Sequence, residues 1–145
     1  MTTRATGSFD VTRAALDHSA GEATLGRSSL DKVFRGDLEG TGKGEMLTAG
    51  TGVAGSAVYV AIERVTGTLH GRSGSFALHH TGIMTRGAPA LTIQVVPDSG
   101  TGELTGITGT LAIKIDAGAH FYELAYEIPG VPDATTAPAV EPPGQ

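Results

Sequence analysis

His79 and His80 stand side by side in the run VTGTLHGRSGSFALHHTG, which begins two residues after Glu63. An imidazole and a carboxylate within reach of each other can transfer a proton, anchor a ligand or help to hold a metal ion. Successive strand residues point to opposite faces, so His79 and His80 cannot both ligate one metal in a regular strand. His18, His70, His79, His80 and His120 form no HExxH pattern and no short paired spacing on one face, so no metal is expected.

A hairpin turning at Arg72-Ser73 would place Leu69 opposite Phe76, Val65 opposite His80 and Glu63 beside Gly82. One face then carries Tyr59, Ala61, Glu63, Val65 and Leu69 with Phe76, Leu78, His80 and Met84. His80 falls a diagonal step from Glu63 on this apolar face, whereas His79 lies among threonines and Arg64 on the other. Burying the Glu63 carboxylate unpaired would cost several kcal/mol, so it needs a partner or a watered cavity, with His80 and Tyr59 nearest. Two readings stand open. The groups form a satisfied polar cluster that pins strand register, or they orient a ligand or move a proton inside an apolar cavity.

The elements that position these residues are strands. Period-two alternation runs from Thr6 to Ile128, with strands expected at Thr6–Ala14, Thr24–Leu38, Gly42–Thr51, Ser56–His70, Ser75–Met84, Ala90–Pro97, Glu103–Asp116 and Ala119–Ile128. LEGTG, HGRSGS, PDSGTGE and DAGAH are read as their turns, and AALDHSAGE is the one stretch allowed a helical turn. Eight strands in hairpin order, with almost no helix to cover an open sheet, favour an all-β, single eight-stranded antiparallel β-barrel over a two-sheet sandwich. A barrel of that size is filled by side chains or holds one small ligand.

A turn at Ala117-Gly118 groups Leu111, Ile113 and Ile115 with His120, Tyr122, Leu124 and Tyr126 inside. Tyr59, Phe76, Leu78, Met84, Tyr122 and Tyr126 are thus the expected walls of a ligand cavity, with Glu63 and His80 its catalytic or anchoring pair. Val58, Val60, Ile62 and Ile83 form an outer apolar patch that suits a homo-oligomeric contact.

Composition narrows the function classes. The 145 residues allow one domain, and the 22 glycines suit short strands and tight turns. A formal net charge of −5 with scattered lysines and arginines argues against nucleic acid and against an acidic membrane surface. The absence of cysteine excludes disulfide scaffolds and thiolate metal sites. The opening MTTRATGSFDV has no apolar leader core, which implies a cytoplasmic protein. After residue 129 the chain is rich in proline and poor in bulky apolar residues, so 1–129 is expected to be the barrel and 130–145 a disordered tail.

Several motifs fail on context. GTGKGE lacks the Ser or Thr after the lysine and the helix that a phosphate loop requires, and GRSGS at a hairpin tip is no nucleophile elbow. Glycosidase chemistry needs two inward carboxylates, and only Glu63 is placed inside.

LDKVFRGDLEGTGKGEMLTAGT, GSAVYVAIERVTGTLHGRSGSFALHHTGIM and VVPDSGTGELTGITGTLAI together resemble a family of short bacterial proteins catalogued as a domain of unknown function, over roughly Thr6 to Pro129. The resemblance implies an eight-stranded barrel of the allene-oxide-cyclase-like class, whose members hold apolar substrates inside the barrel. No catalytic motif of that class matches residue by residue, so no role is carried over. The function expected is a small-molecule-binding barrel, extending to a cofactor-free isomerase or natural-product cyclase. The alternative is a structural, oligomerising barrel with a filled core.

Overall fold

The structure, a computed structural model, describes residues 2–17 and 23–130. Its strands are β1 (Thr3–Leu16), β2 (Leu25–Gly36), β3 (Leu38–Gly50), β4 (Ala57–Leu69), β5 (Arg72–Thr85), β6 (Ala88–Val95), β7 (Thr101–Gly102), β8 (Thr108–Asp116) and β9 (Ala119–Glu127). Eight of them run in the order β4-β3-β2-β1-β9-β8-β6-β5, and the β4–β5 pairing closes the ring. The fold is a closed, eight-stranded antiparallel barrel with one extra two-residue strand, β7, added against Gly74 and Ser75 of β5. The β6–β8 junction is the thinnest part of the wall, with Gln94 opposite Thr110 as its ladder pairing. The described residues contain no helix. Ala14–Leu16 of the expected helical turn lie in β1, while residues 18–22 and the tail at 131–145 fall outside the described residues.

Three hairpins turn on a residue followed by glycine with both φ angles positive: His70-Gly71 (48° and 80°), Arg86-Gly87 (45° and 89°) and Ala117-Gly118 (50° and 83°). These are the mirror-image two-residue turns whose twist matches that of the flanking strands. The last is the turn expected from the sequence, and Ile113 faces Tyr122 accordingly. The first corrects the expected Arg72-Ser73 turn. Gly71 tolerates a positive φ without strain and histidine is one of the few side chains that visits that region, whereas an Arg-Ser corner would force two ordinary residues into it. Leu69 therefore pairs with Arg72, and Glu63 with Leu78. Relative to the expected register, each β4 residue meets a partner four positions earlier. That slip is even, so every side chain stays on its expected face.

A second correction concerns LEGTG. The chain reverses at Gly36-Asp37, where Gly36 has φ 109°, and β3 begins at Leu38. LEGTG is thus the start of a strand, which carries Gly40, Gly42 and Gly44 at successive inward positions. Tyr122 fixes this corner: its hydroxyl accepts the Leu38 N–H (2.9 Å) and donates to the Arg35 carbonyl (3.0 Å).

The barrel is packed at one end only. At the β4–β5 turn end, residues 103–107 form turns rather than the expected start of a strand. They press Leu104 and Ile107, each 1% exposed, into a core with Leu38, Leu69, Phe76, Leu78, Leu124 and Tyr126. A smaller apolar cluster of Leu30, Met46 and Ala61, with Tyr59 against it, lies toward the other end.

Candidate functional site

Between the two apolar clusters lies a layer of three buried charged or polar side chains. Lys32 follows the inward alternation Leu30, Lys32, Phe34 of β2, while Glu63 and His80 face inward from β4 and β5. They are 6%, 1% and 3% exposed. Lys32 Nζ donates to Glu63 Oε2 at 2.8 Å, and His80 Nε2 lies 2.6 Å from the same oxygen. Glu63 Oε1 is buried without a hydrogen-bond partner.

The intervening strand explains how Lys32 and Glu63 meet. Lys32 pairs with Gly42 and Glu63 pairs with Gly44, so the two side chains reach each other across β3 where it carries no side chains. A Cβ at Gly42 would lie 2.4 Å from Glu63 Oε1. The Lys32 ammonium also sits 5.0 Å from the Phe9 ring centroid and 5.9 Å from that of Phe34, which adds cation–π attraction to the ion pair.

Burial by itself would raise the Glu63 pKa. The hydrogen bond from His80 and the Lys32 ammonium outweigh it and hold the carboxyl below its ordinary value. An ionised carboxylate only accepts hydrogen bonds, so His80 donates Nε2–H to it. Nδ1 is then the ring nitrogen left to exchange a proton with anything else. Tyr59 completes the neighbourhood, its ring centroid 6.3 Å from that of His80. Desolvation, then the negative charge of Glu63, raises the Tyr59 phenol pKa.

The layer is the floor of a cavity of about 290 Å³ that opens at the end away from the β4–β5 turn. Lys32 and His80 line it, and Glu63 stands behind them. Phe9, Leu30, Met46, Tyr59, Leu91 and Ile113 make its apolar walls. A groove of about 360 Å³ adjoins it at the rim, sharing Arg13, Met46, Tyr59 and Leu91. Gly82 lets the Tyr59 ring lie against β5, since a Cβ there would approach the ring to 2.1 Å.

The sequence-predicted site residues divide between the two ends. Glu63, His80 and Tyr59 come together at the cavity, and Met84, 43% exposed, lines the rim groove. Phe76, Leu78, Tyr122 and Tyr126 belong to the packed core, and none of them lines the cavity. The Tyr122 hydroxyl is committed to the Leu38 corner, and the Tyr126 hydroxyl lies 2.5 Å from His70 Nδ1. Sequence reasoning missed Lys32 and Arg13, and it placed His120 on the inward face without naming it as a site residue. The signal for Lys32 was a lone charge between Leu30 and Phe34 at period two, on the inward face of its strand.

Among the described residues no group of three or more His, Cys, Asp or Glu side chains is placed to hold a metal ion. No described helix is long and apolar enough to cross a membrane.

Comparison with known proteins agrees with this architecture and adds no activity. No curated protein matches the chain. It is similar to the crystal structure of a protein of unknown function from the DUF3224 family of Shewanella oneidensis MR-1. The two share 52% sequence identity and a TM-score of 0.85, over 88% of this chain and 98% of that one. Residues 5–126 match the family model described as protein of unknown function (DUF3224). With that match spanning most of its length, the chain belongs to the DUF3224 family.

Proposed function

We propose that this barrel binds a small apolar molecule in its open half, with the Lys32–Glu63–His80 layer as the polar anchor. The observation that carries the reading is the apolar cavity of about 290 Å³ whose floor is a buried, charged side-chain layer. A barrel needing only a filled core would gain more from apolar residues at these positions, because a buried ion pair repays its desolvation poorly. The size is at the lower end of small-molecule sites, roughly 300 Å³. Membership of the allene-oxide-cyclase-like class is part of this proposal, supported by the closed eight-stranded barrel and its apolar cavity. The negative formal charge of the chain favours neither nucleic acid nor an acidic membrane as partner.

The catalytic extension is a cofactor-free isomerisation or cyclisation. In it, the cavity folds the substrate into a reactive conformer, His80 carries the proton at Nδ1, and Glu63 holds the ring by Nε2. Mass spectra under native and denaturing conditions test the binding reading. A copurified mass lost on denaturation supports it, and a clean apo mass that takes up no apolar probe argues against it.

The outer wall favours a second reading. Leu47 of β3 faces Val60, Ile83 of β5 faces Val58, and Ile62, 64% exposed, continues the same outer face of β4. A continuous apolar patch of this kind suits a contact between copies of the chain. Sedimentation of Ile62→Lys tests it: dissociation of an oligomer supports the contact, and an unchanged monomeric mass for both proteins counts against it.

A further inference from the structure

The lining of the open cavity is basic, on a chain whose formal net charge is −5. Arg13, Lys32, His80 and His120 line the cavity, and among the described residues no aspartate or glutamate lines it or its rim groove. Glu63 offsets Lys32 from behind the floor, at 2.8 Å. Arg13 has no such offset: among the described residues no carboxylate pairs with it, and its Nη1 donates to the Met46 sulfur at 3.8 Å. The cavity therefore holds one uncompensated fixed cation, together with the Lys32 ammonium, which has N–H donors beyond the one given to Glu63, and the His120 imidazole.

From this charge pattern we infer that the ligand is a monoanion, a compact apolar body bearing one carboxylate, with its head between Arg13 and the Lys32–His80 floor. The inference rests on the binding reading above and names its ligand class. One net positive charge matches one carboxylate. A guanidinium is suited to it because its planar fork offers paired donors to two oxygens. An apolar cavity of about 150 Å³ accepts benzene, so one of about 290 Å³ suits a body of roughly twelve heavy atoms. A fused bicyclic aromatic acid fits that limit, and the rings of Phe9, Tyr59 and His120 offer it aromatic edges and faces.

The test is calorimetric titration of the full-length protein with 2-naphthoate and with its neutral counterpart 2-naphthylmethanol, at low and high salt. The expected result is that naphthoate binds roughly tenfold or more tightly than the alcohol. Arg13→Gln should abolish that preference, and high salt should reduce it while leaving alcohol binding by the wild type unchanged. Arg13 is exposed at the rim, so its loss spares the fold. Equal affinities, or a preference for the alcohol, overturn the anionic head while leaving the cavity reading intact. A preference that survives both Arg13→Gln and the paired replacement Lys32→Met/Glu63→Leu places the head elsewhere and overturns this inference. Binding of neither probe removes the cavity reading, and this inference with it.

Discussion

Lys32 and Glu63 meet across a strand that lies between them, Nζ 2.8 Å from Oε2, because β3 presents Gly42 and Gly44 where side chains would stand. Two strands apart in the wall, they form a buried bond that also receives His80. This contact divides the barrel into a packed half and an open half.

Glu63→Gln is expected to cost about 3–5 kcal/mol, because it leaves the Lys32 ammonium buried without its counter-charge. Lys32→Met/Glu63→Leu should recover most of that loss, since an apolar pair of similar volume needs no desolvation. Urea midpoints at constant slope measure both. A double variant as unstable as Glu63→Gln would contradict this account of the layer.

Gly42→Ala tests the space over β3. A methyl group 2.4 Å from Glu63 Oε1 must push the carboxylate aside, for a loss of about 1–3 kcal/mol. Gly52→Ala, with nothing within 4 Å, serves as control and should stay within about 0.5 kcal/mol. Equal effects at the two sites would mean that backbone propensity, not the Glu63 contact, sets the cost.

Acid should weaken the wild type in a way that traces to Glu63. Its folded pKa lies below the ordinary value of a glutamate carboxyl, so the folded state binds this proton less readily than the unfolded chain. The contribution is full above that value and is lost as pH falls through the depressed folded value. Thermal midpoints measured from neutral pH to below pH 4 should fall more steeply for wild type than for Glu63→Gln. Parallel curves would show that other carboxylates dominate.

The alternation of the strands was legible because it is carried by single residues at period two, and the β8–β9 register followed from the one glycine-containing corner available. The Glu63–His80 proximity was legible for a less direct reason. The expected and observed β4–β5 registers differ by an even slip, so His80 remains diagonal to Glu63 in both, beside Val65 in one and beside Ala61 in the other. Lys32 was hidden by LEGTG. Read as a turn, those glycines fall in the connection between the second and third strands. As the start of β3, with Gly44 beyond them, they are the open floor over which Lys32 reaches Glu63. The closed end was illegible because Leu104 and Ile107 are held by tertiary packing of turns, which leaves no periodic trace.

Tyr122→Phe is predicted to destabilise the fold by about 1–3 kcal/mol, because the buried Leu38 N–H loses its acceptor. Tyr59→Phe, at the cavity wall, should change stability by less and probe affinity by more. Denaturation and titration on the same samples separate the two tyrosines; a reversed order would place the binding surface in the packed half.

The central claim is that the open half of this barrel is a binding site, and the most direct measurement is backbone and methyl NMR during titration with 2-naphthylmethanol. The account predicts saturable shifts at Leu30, Met46, Tyr59, Leu91 and Ile113, with Val60 and Ile62 on the outer wall unmoved. Shifts confined to the outer wall, or none at probe saturation, would contradict it.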